Sequence, residues 1–305
     1  MPELPEVEVV RRGLEPFVRG TTFGAVNILH PRAARGNELP LETVLPGRTI
    51  TGVSRRGKFM WLDLAPERGV DKHADRLYIH LGMSGQLRIG EVNSRHIRAQ
   101  AELIPDPITA GAESAVSADA APADVTSVDV TSAEPQSPEV LSFVDQRTFG
   151  YWKLAGAEHI AHIAADPLEE VFDAVATSRR IRAKKAPIKA VLLDQTVVSG
   201  VGNIYADEAL WAAGIVPSRP ASRLRHRDVL RLLDAARQVM VQALQQGGTS
   251  FDALYVNVNG ESGYFSRSLH VYGRAGQDCD RCGAEILRTV IRGRSSHHCA
   301  NCQVI

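Results

Sequence analysis

Residues 195–208 read Gln-Thr-Val-Val-Ser-Gly-Val-Gly-Asn-Ile-Tyr-Ala-Asp-Glu, and this stretch joins two segments with helical hydrophobic spacing. Its glycines allow a tight turn, Asn203 is a favourable N-cap for a helix from Ile204, and Gly214 can end that helix. A glycine turn that presents free amides at a helix N-terminus binds anions, and DNA phosphate is the anion that we expect. Taken alone the pattern is weak, because any helical hairpin can contain it.

Helical spacing of apolar residues continues on both sides of this turn. The expected helices cover residues 168–176, 188–194, 204–213 and 227–246, with a further short one at 250–254. A window without an acidic residue lies in the same half of the chain and carries six basic ones: Arg179, Arg180, Arg182, Lys184, Lys185 and Lys189. Such a cluster is a candidate for binding phosphate, and the alternative is a charged helix face exposed to water.

The first half of the chain is predicted to form an N-terminal helix and an antiparallel β domain. Apolar residues recur at helical spacing through residues 5–20, and Gly20 is a stop signal. Strand-like segments follow, separated by Gly and Pro: 49–53, 58–64, 77–81, 86–89, 96–103, 141–145 and 151–154.

One stretch interrupts this β pattern. Residues 105–139 consist mainly of Ala, Ser, Thr, Pro, Val and acidic residues, with no aromatic and no basic residue. Because so few large apolar groups are available to offset the ordering entropy, we expect a disordered insertion in a hairpin loop. A stable additional element is the alternative. The acidity of the insertion is expected to keep it away from DNA.

The charge distribution favours a polyanionic partner more than the net charge does. The formal net charge is zero, with 35 basic and 35 acidic residues. Residues 99–140 contain eight of the acidic residues and no Lys or Arg, so the rest of the chain carries 35 basic against 27 acidic residues. This remainder is suited to binding nucleic acid.

Size and composition are those of a globular protein that is long enough for two domains. The chain has 305 residues, of which 44% are hydrophobic and 23% charged. It contains no apolar run of about eighteen residues, so we expect no membrane span. The acidic opening at 1–6 lacks the apolar stretch of a signal peptide, so a cytoplasmic location is the default expectation. Nothing in the sequence indicates more than a monomer.

The four cysteines form two Cys-x-x-Cys pairs near the end of the sequence: Cys279, Cys282, Cys299 and Cys302. Each pair can place two thiolates on one tight turn, and two such turns complete a tetrahedral Zn²⁺ site. The β-forming residues 286–291, followed by Gly293, predict a hairpin that joins the pairs. Disulfides are the alternative, which a reducing cytoplasm disfavours. A site closed by four thiolates is structural, because the metal keeps no open position for chemistry.

The junction Met1-Pro2 carries a candidate catalytic group. Initiator Met is usually removed before a small residue, and its removal exposes the secondary amine of Pro2. An α-amino group titrates near ~7.7–8.0, so on the order of a tenth is free base at neutral pH, far more than for a Lys near ~10.4. Such an amine can attack a sugar C1′ to form an iminium of the Schiff-base type, and Glu3 could transfer protons. The alternative is that Pro2 and Pro5 only shape an extended segment before the helix.

Several separate motifs resemble those of the formamidopyrimidine-DNA glycosylase family. In chain order they are Pro2-Glu3-Leu4-Pro5-Glu6-Val7-Glu8, His80-Leu-Gly-Met83-Ser-Gly85, Asp145-Gln-Arg147-Thr-Phe149-Gly150, Gly200-Val-Gly-Asn203-Ile-Tyr205 and the four-cysteine tail. The resemblance covers essentially the whole chain except residues 105–139. It implies an α+β multidomain fold: an N-terminal helix with an antiparallel β-sandwich at 1–163, a helix–two-turn–helix domain at 164–265, and a four-cysteine zinc-finger β-hairpin at 270–305.

The resemblance also implies an activity. It is the excision of oxidised purines, such as 8-oxoguanine and formamidopyrimidines, opposite cytosine in double-stranded DNA, followed by strand cleavage through β- and δ-elimination. In this scheme Pro2 is the Schiff-base nucleophile and Glu3 is the proton donor for base release. Lys58 is implied to donate a proton in β-elimination and to contact phosphate, and Arg294 to grip phosphates and serve δ-elimination.

Further DNA contacts and one structural Zn²⁺ follow from the same resemblance. Met83 and Phe149 would fill the gap left by a flipped nucleotide and wedge the base stack, while Arg147 would meet the orphaned cytosine. On hydrophobicity alone, Met83 and Phe149 would be ordinary core residues. The other matched DNA-contact positions are His96, Lys185 and Asn203.

Two alternative functions stay open on the sequence. An endonuclease VIII-type glycosylase shares the machinery but acts on oxidised pyrimidines; its opening typically has Gly where Leu4 stands here, and the segment at 263–265 resembles the purine-specific branch. A non-catalytic protein that binds damaged DNA is the second. The insertion departs from the family pattern between His96 and Arg147, and we expect it to point outward because the flanking motifs are intact.

Overall fold

The N-terminal part of the chain folds into two antiparallel sheets. The computed structural model describes residues 2–66, 75–105, 139–248 and 268–305. The strands are β1 (Thr21–Ile28), β2 (Ile50–Arg56), β3 (Phe59–Leu64), β4 (Arg76–His80), β5 (Gly85–Ile89), β6 (Ile97–Pro105), β7 (Glu139–Asp145) and β8 (Tyr151–Ala155). One sheet has the order β1-β6-β7-β5 and the other β2-β3-β4-β8. The predicted antiparallel β-sandwich is confirmed.

The first helix joins the sandwich to the rest of the molecule. Helix α1 (Leu4–Val18) packs Val7, Val10 and Leu14 into the core between the two sheets. Leu4, at its first residue, instead belongs to the core of the helical domain. The two cores therefore meet at the beginning of α1. A short helix, α2 (Leu41–Val44), follows β1.

The helical domain consists of α3 (Ala174–Arg182), α4 (Ile188–Leu192), α5 (Asn203–Ala212) and α6 (His226–Gln245). Helix α5 is buried along most of its length because it packs against α6 on one side and against the C-terminal hairpin on the other. Gly214 has a φ of +68° just after α5, as the predicted helix stop requires. In the described part of the chain, no helix is long and apolar enough to cross a membrane.

The C-terminal hairpin is formed by β9 (Ile286–Ile291) and β10 (Arg294–Cys299). Its two turn residues, Arg292 and Gly293, both have positive φ values, of 47° and 77°. This is the backbone of the two-residue turn whose twist matches that of antiparallel strands. The predicted hairpin between the cysteine pairs is confirmed.

Two expectations about local structure need correction, and a third is not tested. The helix expected at 168–176 begins only at Ala174, because the carboxylate of Asp173 accepts the Ala176 amide over 2.9 Å and caps the helix there. Strand β1 had no counterpart in the prediction, since Gly24 and a register shift between Phe23 and Val26 break its alternation. The helix expected at 250–254 lies outside the described residues.

The insertion lies where the sequence placed it, between two paired strands. Strands β6 and β7 are antiparallel neighbours, and Leu103 is opposite Glu139 in their register. The predicted bounds were slightly wide, because Pro105 and Glu139 themselves belong to the strands. Residues 106–138 lie outside the described residues, so their expected disorder stays a prediction.

Candidate active site

Glu3 lies at the centre of the site, buried beneath the glycine turn at residues 200–202. The amides of Gly202 and Ile204 donate hydrogen bonds to its two carboxylate oxygens over 2.7 and 2.9 Å, and the Tyr205 amide lies 3.3 Å from one of them. The residue is only 3% exposed. Because the first turn of a helix has amides without backbone partners, the carboxylate acts as the anion at the N-terminus of α5.

The glycine turn accepts the N-terminal segment because its glycines leave room for it. The Leu4 amide donates to the Gly200 carbonyl over 3.1 Å. A Cβ atom on Gly202 would lie 2.5 Å from both carboxylate oxygens of Glu3. A Cβ on Gly200, whose φ is +87°, would lie 2.5 Å from Leu4 Cδ1. Both positions therefore need glycine.

Two expectations about this turn were wrong. The N-cap of α5 is Gly202, and Asn203 is the first residue of the helix. The anion held by the turn is the carboxylate of Glu3, so these amides are not free to bind a DNA phosphate. The reason is that a residue 199 positions away in the sequence supplies the charge. Asn203 Nδ2 lies 3.4 Å from Ser295 Oγ in the hairpin, and its role as a DNA contact stays a prediction.

Burial changes the proton affinity of both charged groups at the site. Burial raises the pKa of Glu3 from 4.5 to about 7; the nearby Lys58 charge and the amide hydrogen bonds lower it by less, and the Glu6 charge adds to the rise. Burial also lowers the pKa of Lys58, with a smaller lowering from the charge of Arg294. Glu3 can therefore carry a proton near neutral pH, and Lys58 lies within the electric field of both Glu3 and Arg294.

Lys58 follows Gly57 in the turn between β2 and β3, and ion pairs hold this turn in place. Asp166 Oδ2 accepts the Gly57 amide over 2.8 Å and Arg55 Nη1 over 2.7 Å. Arg55 also pairs with Glu8 of α1, at 3.0 Å. A Cβ on Gly57 would lie 2.8 Å from a backbone amide of the glycine turn. The turn, α1 and the helical domain thus meet at one point.

A buried ion pair positions the hairpin strand that begins with Arg294. The Lys189 side chain is fully buried, with Nζ 2.7 Å from Asp207 Oδ1 and 2.5 Å from a backbone carbonyl of β10. Asp207 also accepts the Ser296 hydroxyl over 3.1 Å and the His297 amide over 2.8 Å. These contacts fix β10 against α4 and α5. Arg294 is exposed at the start of that strand.

The structure places the residues of the basic window in different surroundings. Lys189 was a phosphate-binding candidate, and this is wrong because its ammonium group is buried against Asp207. The Nε atom of Arg182, on α3, donates to the Leu224 carbonyl over 2.9 Å. Lys185 is exposed between α3 and α4, so its side chain is accessible to a phosphate and the predicted contact stays a prediction.

Met83, Arg147 and Phe149 lie together on two adjoining loops. Met83 is 37% exposed and Phe149 is 47% exposed, so neither is a core residue. Arg147 Nη1 lies 3.8 Å from Met83 Sδ. The buried carboxylate of Asp145 accepts the amides of Arg147 and Gly150 over 3.1 and 2.7 Å and so stiffens their loop. Two apolar side chains and a cation are thus presented together to solvent.

His96 lies directly before β6, next to this pair of loops. Its carbonyl accepts the Asp145 amide over 2.9 Å, which places it beside the loop that carries Arg147. Its ring nitrogens lie 3.2 Å from Arg98 Nη2 and 3.3 Å from Arg95 Nε. Three basic side chains therefore share this edge of the sandwich.

The four cysteines form a site for one structural zinc. Their sulfur atoms all lie within 4.8 Å of one another, with separations of 3.5 Å between Cys282 and Cys299 and 3.9 Å between Cys279 and Cys302. Four thiolates about 2.3 Å from a tetrahedral Zn²⁺ would be about 3.8 Å apart, so the cluster fits this ion. The Trp211 indole N–H points to Cys279 Sγ at 3.5 Å and supports the site from α5.

Two supporting residues were not recognised as site residues from the sequence. The Tyr205 hydroxyl donates to Glu6 Oε1 over 2.7 Å, and Glu6 Oε2 accepts the Glu3 amide over 2.9 Å. Glu6 therefore positions Glu3 and ties α1 to α5. The spacing of Glu6 three residues after Glu3 is that of a capping box, a signal that could have identified it.

Three family models match the chain in the order of its structural parts. Residues 1–152 match the formamidopyrimidine-DNA glycosylase N-terminal domain, 163–253 the formamidopyrimidine-DNA glycosylase H2TH domain, and 276–304 the zinc finger found in FPG and IleRS. With the geometry above, these matches define the class of the protein, a DNA glycosylase built from a β-sandwich, a helical domain and a zinc-finger hairpin.

Similar proteins and solved structures agree with this class. A formamidopyrimidine-DNA glycosylase from Corynebacterium aurimucosum is 58% identical over 99% of this chain and 96% of its own length, and one from Corynebacterium jeikeium is 48% identical over 99% and 100%. A solved complex of the Lactococcus lactis Fpg with DNA containing an abasic site has a TM-score of 0.78 and 29% identity, covering 99% of this chain and 100% of that one. The chain belongs to the formamidopyrimidine-DNA glycosylase family.

Proposed function

We propose that this protein is a bifunctional DNA glycosylase and lyase, which removes oxidised purines from duplex DNA and then cleaves the strand. One observation carries the proposal: the residue after Pro2 is a buried carboxyl group whose pKa is raised to about 7, beside the Lys58 ammonium group. A carboxyl group in this state can donate a proton at neutral pH, which the departure of a base requires.

Base excision needs a nucleophile and an acid next to each other. After removal of Met1, the secondary amine of Pro2 attacks C1′ of the damaged nucleotide and the bond between C1′ and the base breaks. Glu3 supplies the proton that leaves with the base. The nitrogen, now bonded to C1′, loses its proton, and its lone pair forms the C=N bond of an iminium ion while the C1′–O4′ bond breaks and the sugar oxygen takes up a proton. Pro2 is buried directly beside Glu3, which supports this assignment.

Strand cleavage is then assigned to two cationic side chains. The iminium ion acidifies the C2′ proton, whose loss expels the 3′ phosphate in β-elimination, and δ-elimination releases the 5′ phosphate in the same way. Lys58 has a pKa lowered by burial, so it exchanges protons more readily than an ordinary lysine. Arg294 is held by the hairpin close enough for its charge to act on Lys58, and it grips the phosphates.

Six side chains are proposed to hold and open the duplex. Met83 and Phe149 fill the space left by the flipped nucleotide, and Arg147 pairs with the orphaned cytosine; the exposure of Met83 and Phe149 supports this role over a core one. The remaining proposed DNA contacts are His96, Lys185 and Asn203.

The preference for oxidised purines opposite cytosine is the part of the proposal that rests most on motif resemblance. The Lactococcus lactis Fpg has also been solved with DNA that contains an oxidised pyrimidine, at a TM-score of 0.78 and 29% identity to this chain, each chain being covered completely. Both lesion classes therefore belong in the test.

Borohydride trapping tests the nucleophile and the substrate together. We expect a covalent protein–DNA complex on a duplex with 8-oxoguanine opposite cytosine, because borohydride reduces an iminium ion to a stable amine. Trapping only on thymine glycol would favour an endonuclease VIII-type activity. Binding to both duplexes without trapping on either would leave a non-catalytic DNA-binding protein.

A removable N-terminal tag provides the matched control for Pro2. With the tag in place the amine is an amide and cannot attack, so trapping is lost while affinity for the duplex stays. Protease removal that leaves Pro2 as the first residue should restore trapping. Full lyase activity in the tagged protein would refute the assignment of Pro2.

A further inference from the structure

A cleft at the beginning of α6 carries an unusual concentration of positive charge. It has a volume of about 320 Å³ and is lined by Arg219, Arg223, Arg225, Arg227, Asp228, Arg231, Val304 and Ile305. Asp228 is the one acidic side chain in this lining, and it lies 3.5 Å from Arg231 and 4.0 Å from Arg227. Even with Asp228 and a carboxylate at Ile305 counted, five guanidinium groups leave an excess of three positive charges.

Three of these five arginines differ from other arginines of the molecule in having no carboxylate partner among the described residues. Arg55 and Arg274, for example, form ion pairs of 2.6 to 3.0 Å. Within the described residues, Arg219, Arg223 and Arg225 have no carboxylate within 4.0 Å. Arg219 Nε is in addition buried without a hydrogen-bond partner in that part of the chain. Guanidinium groups that line one cleft in excess of its carboxylates favour an external anion.

The helix itself adds to the attraction for an anion. Arg225 stands at the N-cap position of the twenty-residue helix α6, and no side chain caps its first turn. The free amides and the positive end of the helix dipole therefore lie in the same cleft as the arginines.

The cleft lies apart from the glycine turn but beside a predicted DNA contact. The two ends of the ten-residue helix α5 are about 15 Å apart; the glycine turn precedes its first residue, and the Ile305 amide of the cleft donates to the Gly214 carbonyl just after its last, over 3.2 Å. The Ala221 amide donates to the Ala186 carbonyl over 2.9 Å, and Ala186 directly follows Lys185. The segment that carries Arg219 and Arg223 is therefore hydrogen-bonded to the segment that carries Lys185.

We propose that the arginine cleft is a second DNA-binding site, which holds the sugar-phosphate backbone of duplex DNA outside the groove that binds the lesion. Guanidinium groups match phosphate oxygens in charge and in bidentate geometry, and they need no particular base. The proposal rests on the proposed function only for the choice of DNA as the ligand. Its effect is to strengthen binding to undamaged DNA and to increase the salt dependence of that binding.

Equilibrium binding to an undamaged duplex of several helical turns tests the cleft without requiring catalysis. The test variant is Arg223→Glu/Arg227→Glu, and the matched control is Arg19→Glu/Arg237→Glu, which changes the charge equally at two exposed residues outside the cleft. Each phosphate contact contributes about 0.9 to the slope of log K against log salt, so loss of two contacts should lower the slope by about 2. We expect the affinity of the test variant to fall about tenfold or more, with the control within about twofold of wild type.

Equal slopes of log K against log salt for the two double variants would overturn the proposal. Titration with inorganic pyrophosphate is the second measurement. If wild type binds pyrophosphate saturably, the test variant does not, and the salt dependence of DNA binding is the same for both, the cleft binds a small anion instead of DNA. Single-turnover excision of a lesion is measured in parallel on all three proteins. If none of them excises a base but the slopes still differ, the proposed function fails while the cleft stands.

Discussion

Substitution of Gly202 by alanine tests whether the docking of Glu3 under the glycine turn controls base excision. The backbone at this residue has a φ of −121°, which alanine adopts without strain, so the effect is steric alone. The new Cβ would lie 2.5 Å from both carboxylate oxygens. Ordinary contact distances are about 3.5 Å, so the carboxylate must move by about 1 Å. That shift breaks at least one amide hydrogen bond to a charged group, worth about 1.5–3 kcal/mol.

The expected result is a fall of about 100-fold in the single-turnover rate of 8-oxoguanine excision, because a misplacement of about 1 Å at a reacting group costs roughly that much. Gly52→Ala is the matched control, since its Cβ would meet nothing closer than Asp63 Oδ2 at 3.8 Å and should leave the rate unchanged. Thermal unfolding of both variants separates a local from a global effect. A wild-type rate in a folded Gly202→Ala protein would refute the role given to this docking.

Three further outcomes are expected. Burial raises the pKa of Glu3 from 4.5 to about 7, so the folded state favours the protonated carboxyl group, whose stabilising contribution is lost as the pH rises through that range. The difference in melting temperature between wild type and Glu3→Gln should therefore change between pH 4.5 and about 7, with wild type becoming less stable relative to the variant as the pH rises. A difference that stays constant over this range would contradict the raised pKa. Lys189→Met leaves Asp207 buried without its counter-ion and should lower the free energy of unfolding, measured in urea, by about 3–5 kcal/mol. Adding Asp207→Asn to the same chain should restore part of this loss, and no restoration would mean that the loss comes from packing. Cys299→Ser, or chelation of zinc, should weaken DNA binding because Arg294 loses the support of the metal-bound hairpin. Metal analysis of wild type should give one zinc per chain. Unchanged DNA affinity would exclude the hairpin as a DNA contact.

The elements that the sequence predicted best are those with a strong period or a fixed ligand spacing. Helix α6 and the strands of the sandwich follow their hydrophobic patterns, and the two Cys-x-x-Cys pairs meet as their spacing requires. Strand β1 was missed because Gly24 interrupts its alternation. The helix at 168–176 was misplaced because the cap formed by Asp173 outweighs the apolar residues before it.

The roles of individual charged residues were harder to predict, because they depend on contacts between distant parts of the chain. Nothing local distinguishes Lys189 from the exposed Lys185; only the fold brings Asp207 within 2.7 Å of its ammonium group. The glycine turn was correctly recognised as an anion site, but the anion comes from Glu3 at the other end of the chain. A sequence pattern identifies what kind of charge a turn binds, and tertiary structure decides which group supplies it.

The position of Leu4 has a consequence for the order in which this protein becomes able to react. Its side chain is anchored in the helical domain while the rest of α1 is anchored between the sheets. A newly made chain in which only the sandwich has formed has no glycine turn to receive Glu3, and one in which only the helices have formed lacks Lys58. Under the proposed mechanism, the complete site therefore forms only when both halves are folded and joined.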